Sequence, residues 1–305
     1  MVEKRDSDKA GSNLFQQLKS DSALPELYSA ERIPSLFEDS THQLWRCETA
    51  DGDMILKRCH RTTVEQSPIW QMMHQLFDVS LPDDLAHFHA IQAMLEKQGV
   101  LPIPELIACG GEADDSAAFV LSRVVEGEAI QKKHLTDDLV IQFARQIATL
   151  HLKQQTTWGK LFQADKVAED WPAMLLKTLL RHSRKLRIGE PWLYKVMTQL
   201  EQVTPRYFVP IMLDNRWDQY LINDNKITAL VDLDAFVIGP PELELVLLEY
   251  QLDQKQADVF VQEYQKYLAF PDIASYRLSY RLLLFLMNAL GESNLDRWMT
   301  SPHRW

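Results

Sequence analysis

Glycine is scarce in this sequence, with 10 in 305 residues. No stretch reads G-x-G-x-x-G or G-x-x-x-x-G-K-[ST], so the dinucleotide and P-loop fingerprints are both missing. Cysteine is scarcer still. Cys47, Cys59 and Cys109 are odd in number and form no C-x-x-C pair, which points to reduced thiols and a cytoplasmic protein. Positive charge is in deficit, with 32 Lys+Arg against 43 Asp+Glu and a net charge of −11. A dedicated nucleic-acid binder takes its affinity from basic surface, so the balance argues against that class. Neither His-Glu-x-x-His nor Gly-x-Ser-x-Gly occurs, which argues against a zinc hydrolase and against a nucleophile-elbow hydrolase. The greasiest run, Leu282–Met287, is far short of the ~20 residues that span a bilayer. Met1–Gly11 has no apolar core of the signal-peptide kind. The expectation is a protein with neither nucleic-acid nor membrane partners.

What is present is ordinary globular composition, 46% hydrophobic and 25% charged. The length suits two domains, or one domain of two lobes. Residues 1–12 are polar and expected to fray. From Ile33 onward short strand-like runs begin. Gln43–Glu48 and Met54–Cys59 flank Asp51-Gly52, which supplies the tight turn of a hairpin. Phe88, Ile91 and Leu95 lie on one face of a helix over Leu85–Gln98, and Gly99 follows as its C-cap. Pro102 and Pro104 force an extended segment, and Ala117–Ser122 reads as another strand. Beyond Gly127 the pattern turns mostly helical. Val140, Phe143, Ala144, Ile147 and Leu150 form an apolar stripe, with Thr136 or Asp137 as the N-cap. Two or three helices over 166–205 are broken at Gly189 and Pro191. Lys177, Arg181, Arg184, Lys185 and Arg187 read as a solvated helix face, or alternatively as a site for a phosphorylated or acidic partner. The arrangement is α+β, a β-rich part of residues 1–125 followed by a larger, mainly helical part of residues 126–305.

One island breaks the helical half. An apolar run from Phe208 to Leu213 delivers Asp214 to a loop. Gln219 precedes a short strand, a turn at Asn223–Lys226 leads into a second strand, and Asp232 stands at its end. Two carboxylates and an amide at the mouth of one hairpin can hold a divalent cation through hard oxygen ligands. One carboxylate can instead orient a hydroxyl nucleophile. Asp and Asn are also the commonest turn residues, so the spacing alone leaves these readings open.

These residues resemble the aminoglycoside phosphotransferase and choline-kinase-like family, a branch of the protein-kinase-like fold. In that family a His-Gly-Asp triplet is followed five residues later by Asn, then by two short strands and Ile-Asp. Asp214 falls on the Asp of the triplet, Gln219 on the Asn and Asp232 on the second Asp. Gly239-Pro-Pro-Glu-Leu-Glu-Leu resembles the family's Gly-Asp-Pro-x-x-Asp-Leu segment. Leu150-His151, Phe119–Gly127 and Ile55–Lys57 resemble its signature helix, its strand-and-hinge segment and its lysine strand, in the family's order over about residues 30–250.

The resemblance implies a two-lobed kinase-like fold and an ATP-dependent phosphotransferase that acts on a hydroxyl of a small-molecule acceptor, with Mg²⁺ as the metal. Asp214 would be catalytic, and Gln219 and Asp232 would hold the metal. Lys57 would neutralise the nucleotide phosphates, Ser40 and Thr41 would hydrogen-bond them, and backbone groups at Arg123 and Val125 would meet the adenine. The acids Asp214, Asp218, Asp232, Asp234, Glu242 and Glu244 lean towards an amino-bearing acceptor. The departures are Met212-Leu213 in place of His-Gly, Gln219 in place of Asn, and a glycine-free loop at Phe37–His42. They motivate the alternative, a pseudokinase that serves as a nucleotide-binding or interaction module. Asp84 or His87 would be the partner of Lys57.

Overall fold

The computed structural model describes residues 25–35, 40–112, 117–200 and 204–305. The expected fraying of residues 1–12, and Phe37–Asp39 of the glycine-free loop, lie outside the described residues. The chain divides into two compact units. The first comprises residues 1–65, 81–89 and 104–125, and the second comprises residues 66–80, 90–103 and 126–305.

The first unit is built on one antiparallel sheet. Its strands are β1 (Leu27–Ile33), β2 (His42–Thr49), β3 (Gly52–Cys59), β4 (Leu106–Gly110) and β5 (Ala118–Arg123), in the order β1-β2-β3-β5-β4. β2 and β3 pair from His42↔Cys59 to Thr49↔Gly52. The turn residues are therefore Ala50-Asp51, one position earlier than the sequence suggests. Gly52 follows at φ +100°, a conformation open to glycine and costly for other residues. The Thr49 hydroxyl closes the turn by donating to the Gly52 carbonyl at 2.6 Å. Leu27, Trp45, Cys47, Met54, Leu56 and Leu121 fill the core on one face. Burial there pushes the Cys47 thiol up to about 11, so it stays an unreactive thiol. β1 carries no sequence signal because Leu27 is its one buried residue, and an exposed edge strand needs no apolar alternation.

The second unit opens with α1 (Pro68–Phe77), a helix absent from the sequence reading, and takes most of α2 (Phe88–Gln98). An added Cβ at Gly99 would meet the Gln146 amide at 2.7 Å. That amide oxygen accepts from Val100 and Leu101 N–H at 2.6 and 2.9 Å, so glycine leaves room for the group that caps the chain. α3 (Asp137–His151) starts at Thr136, whose hydroxyl accepts from Leu139 N–H and donates to Asn225 Oδ1.

Two strands then follow that the sequence reading places in a helical stretch: β7 (Thr157–Lys160) and β8 (Gln163–Val167), after the two-residue β6 (Glu128–Ala129). They are short and bulged beside Gly159, so no period develops over them. β9 (Val209–Met212) and β12 (Phe236–Gly239) complete the sheet β8-β7-β12-β9. β10 (Tyr220–Asn223) and β11 (Lys226–Leu230) form β11-β10-β6.

The remaining helices are α4 (Trp171–Leu186), α5 (Glu190–Leu200), α6 (Pro241–Leu248), α7 (Gln254–Tyr264), α8 (Arg277–Leu286) and α9 (Leu295–Met299). The break between α4 and α5 falls at Arg187, at φ +55°. Pro191 sits in the first turn of α5, where its missing N–H costs nothing. Lys177, Arg181, Arg184, Lys185 and Arg187 are exposed around the end of α4. Among the described residues no helix is long and apolar enough to cross a membrane.

α6 is buried along its whole length, including Glu242 and Glu244. The Glu242 Oε2 atom has no hydrogen-bond partner. Burial drives its carboxyl up to about 7, its own backbone contact and the Arg206 charge opposing and the Asp272 charge adding. An unfolded glutamate loses its proton near 4.5. Between those values the folded state holds the extra proton, so stability falls as pH rises, by about 1.4 kcal/mol per pH unit. Relative to the parent, Glu242→Gln is expected to gain about 3 kcal/mol between pH 5 and pH 8. Urea denaturation at both pH values measures this, and a constant difference would rule out the buried protonated carboxyl.

Candidate active site

β9 is wholly buried and pairs with β12 from Met212↔Phe236 to Val209↔Gly239. One step beyond, Leu213 N–H donates to Ala235 O at 3.1 Å. The ladder therefore holds both of its strands up to the turn that exposes Asp214. The chain passes Arg216 and enters a short 3₁₀ turn over Trp217–Gln219, then β10. Asp224 and Asn225 follow at φ +49° and +60°, the geometry of a tight hairpin turn. β11 returns, and Val231 N–H donates to Gln219 O at 2.8 Å. That bond draws the end of β11 against the 3₁₀ turn and brings Asp232 back to Gln219. Asp232 itself sits at φ +60°, ψ +65°, a left-handed conformation that Asp tolerates better than most residues.

Asp214, Gln219 and Asp232 thus lie on one hairpin mouth. Gln219 Nε2 donates to Asp214 Oδ2 at 3.4 Å, a long bond, and Gln219 is 3% exposed. With its nitrogen towards Asp214, the amide oxygen is directed elsewhere. Arg216 Nε lies 3.4 Å from Asp214 Oδ1 and 3.2 Å from Asp218 Oδ1. The structure makes it the direct neighbour of Asp214, and Asp218 is engaged with it.

Behind the loop is a buried polar network. Glu244 on α6 is fully buried. Its Oε1 accepts from Met212 N–H at 2.9 Å and from Asn215 Nδ2 at 3.0 Å, and its Oε2 meets His151 Nε2 at 3.0 Å. Tyr264 OH lies 2.9 Å from His151 Nδ1, and Tyr220 OH donates to Asn215 Oδ1 at 2.9 Å. Burial raises both tyrosine pKa values, with the Glu244 charge adding. Both hydroxyls therefore keep their protons. His151, which resembles part of the family's signature helix, has its partners here. Asn215, Tyr220 and Tyr264 were not singled out by the sequence, and no spacing rule finds them.

In the first unit, Lys57 is on β3, third of the five strands, and is 8% exposed. A solvated lysine on an edge strand does not fit that position, since lysine is rarely buried without a partner. Asp84 is also buried. Ser40 is exposed and donates to His42 O at 3.1 Å, and Thr41 Oγ1 lies 3.1 Å from His42 Nδ1. Arg123 N–H is already donated to Glu105 O at 2.9 Å, and its guanidinium pairs with Glu105 at 2.7 Å. Val125 closes the unit. In the second unit, Trp171 is packed among Phe77, Trp158 and Phe208, which makes it core.

Among the described residues no three His, Cys, Asp or Glu side chains converge on a metal. Asp232 and Gln219, which the backbone bond from Val231 to Gln219 brings together along the chain, each carry hard side-chain oxygens. That set suits Mg²⁺, which takes one or two carboxylates and completes its shell with water and phosphate.

The sequence profile of the phosphotransferase enzyme family matches residues 32–278. No curated protein sequence matches the chain. Several solved structures share its fold. Macrolide 2'-phosphotransferase MphH from Brachybacterium faecium is 14% identical, with a TM-score of 0.59 over 95% of this chain and 99% of that one. A protein assigned as a fructosamine-3-kinase from Haemophilus somnus 129PT is 14% identical, with a TM-score of 0.60 over 94% and 93%. A thermostable mutant of aminoglycoside phosphotransferase APH(4)-Ia, in complex with ADP and hygromycin B, is 14% identical, with a TM-score of 0.63 over 92% and 91%.

The contact between His151 and Glu244 is open to a direct check. His151→Leu leaves Glu244 Oε2 without its donor and is expected to cost about 3 kcal/mol in urea denaturation. A loss below about 1 kcal/mol would mean that the pair does not form.

Proposed function

The chain belongs to the phosphotransferase enzyme family, and on that premise we propose that it is a small-molecule kinase that transfers the γ-phosphate of ATP to a hydroxyl. The observation that carries the reading is the return of β11 to the 3₁₀ turn through Val231 and Gln219, which sets Asp214, Gln219 and Asp232 on one loop system. The complexes of the solved structures with ADP or AMP-PNP, hygromycin B among their other ligands, support a nucleotide donor and a small acceptor.

In this reading Asp214 accepts a hydrogen bond from the acceptor hydroxyl, aims its oxygen at the γ-phosphorus and takes its proton as the new P–O bond forms, while the bond from the γ-phosphorus to the β-phosphate oxygen breaks and ADP leaves. Asp232 and the Gln219 amide oxygen would hold Mg²⁺. When bound, the ion neutralises charge on the β- and γ-phosphates. Lys57 adds a fixed cation for the α- and β-phosphates. Ser40 and Thr41 offer hydroxyls to phosphate, and the main chain at Arg123 and Val125 lies at the adenine; of the two, Val125 is the better donor because the Arg123 N–H is in use. The acids of the hairpin mouth favour an acceptor bearing amino groups.

One observation favours a second reading, a pseudokinase. The Arg216 guanidinium stands 3.4 Å from the Asp214 carboxylate, where an acceptor hydroxyl would have to compete with it. ATP titrations with and without Mg²⁺, followed by thermal shift, distinguish the two when combined with an assay of ADP release. The kinase reading expects a Mg²⁺-dependent rise in Tm and ADP release stimulated by an aminoglycoside or ketoamine-sugar acceptor. Asp232→Ala is expected to remove the Mg²⁺ dependence with the apo Tm unchanged. Asp214→Asn is expected to keep the shift and lose at least about 100-fold in kcat. Gln219→Asn should preserve turnover and Gln219→Ala should depress it. A shift with no turnover on any acceptor leaves a nucleotide-binding pseudokinase, and neither shift nor turnover leaves a pseudokinase that serves as an interaction module.

A further inference from the structure

We propose that Asn215 is the positioning residue for Asp214, gripped by a buried relay that runs through Glu244 to His151 and Tyr264. The inference rests on the role of Asp214 stated above.

A single oxygen closes the grip. Glu244 Oε1 accepts from Met212 N–H, two residues before Asp214, and from the Asn215 side chain, one residue after it. Both flanks of the turn are thereby tied to one atom of a fully buried helix. Asn215 is then held at two further points. Its Oδ1 accepts a hydrogen bond from Tyr220 OH, and its main-chain carbonyl accepts from Gln251 Nε2. Asn215 is 1% exposed. Asn215, the residue next to Asp214, cannot shift its side chain or its carbonyl without breaking one of these bonds.

The proton inventory sets the direction of the relay. Glu244, as a carboxylate, only accepts, so His151 Nε2 carries a proton to donate. Tyr264 OH meets His151 Nδ1 and has no second acceptor for its proton among the described residues. A neutral imidazole with the proton on Nε2 lets Tyr264 donate to Nδ1 and satisfies every member. The chain then reads Tyr264→His151→Glu244, with Met212 and Asn215 donating from the other side. A fully satisfied network of this kind in a dry interior specifies one arrangement, whereas an apolar side chain at position 215 would pack with several.

The site needs this because proton acceptance and in-line attack depend on where the carboxylate sits. A displacement of about 1 Å at a reacting group costs on the order of 100-fold in rate. A residue that acts only through position should change kcat and leave nucleotide binding alone.

The experiment compares the parent with Asn215→Leu, which keeps the size and removes the amide, with Tyr220→Phe, and with the pair together. ADP release from MgATP, with water and with the acceptor panel above, gives kcat and KM, and crystal structures of parent and Asn215→Leu locate Asp214. The expected result is a fall of about 100-fold in kcat for Asn215→Leu with KM for ATP within about twofold. Tyr220→Phe should fall less, and the double variant no further than Asn215→Leu. At the relay's far end, His151→Gln, which retains a donor to Glu244, should keep most of the activity that His151→Leu loses. An unchanged kcat, or a loss of rate that follows the fraction unfolded, overturns the proposal. If the parent turns over no nucleotide, the kinase reading fails by itself, and the crystal structures decide the positioning claim. Asp214 displaced from Gln219 in Asn215→Leu supports it, and Asp214 unmoved overturns it.

Discussion

A carboxylate with no exposure to water has to be met by donors, and the requirement of Glu244 organises the middle of the second unit. Its two oxygens take hydrogen bonds from the β9 strand end, from the loop after it and from the last residue of α3. Each donor is fixed in turn by another element: His151 by Tyr264 at the end of α7, and Asn215 by Tyr220 at the start of β10. Removing any one member leaves a buried polar atom unsatisfied, and the cost of that is larger than the worth of the bond itself. The loop carrying Asp214 therefore inherits its geometry from a network centred on a residue 30 positions away in the chain.

A second buried acid works differently. Glu249, at the end of α6, meets Arg281 at 2.9 Å and Arg277 at 3.1 Å. Arg281 also donates to the carbonyls of Met299, Ser301 and Pro302. Tyr250 stacks on Trp298 at 3.7 Å and donates to its carbonyl at 3.0 Å. These bonds hold the segment after α9 against α8. Buried ion pairs contribute little net stability against an apolar alternative, but they choose one arrangement over others. Both acids lie on or just after α6, so this one buried helix fixes the Asp214 loop on one side and the end of the described chain on the other.

Legibility differed between the two units. In the first, the hairpin of β2 and β3 was plain from two alternating runs around Asp51-Gly52, while β1 was invisible because it buries little. In the second, α3 followed from periodicity, whereas β7 and β8 were too short and bulged to show one. Lys57 shows a different limit. A lysine in an alternating strand reads alike on an edge or in the middle of a sheet, and only the strand order placed it on the third of five. At Met212-Leu213 the sequence announced a departure from the His-Gly of the family it resembles. It did not announce the Asn215 amide that takes hold of the loop from the other side.

What the sequence by itself determined is local. The apolar run of β9, the turn pair Asp224-Asn225 and the spacing from Asp214 to Asp232 oblige the chain to form a hairpin that ends in acids, because backbone hydrogen bonds and turn conformations act over a few residues. The family signature is of the same kind, a series of short motifs in order. Tertiary structure alone decided which groups meet across long separations. His151 reaches Glu244 across 93 residues and Tyr264 across 113. No local preference encodes such pairs. They exist because packing expels water from Glu244, and a charge without water accepts whichever donors the fold brings within about 3 Å.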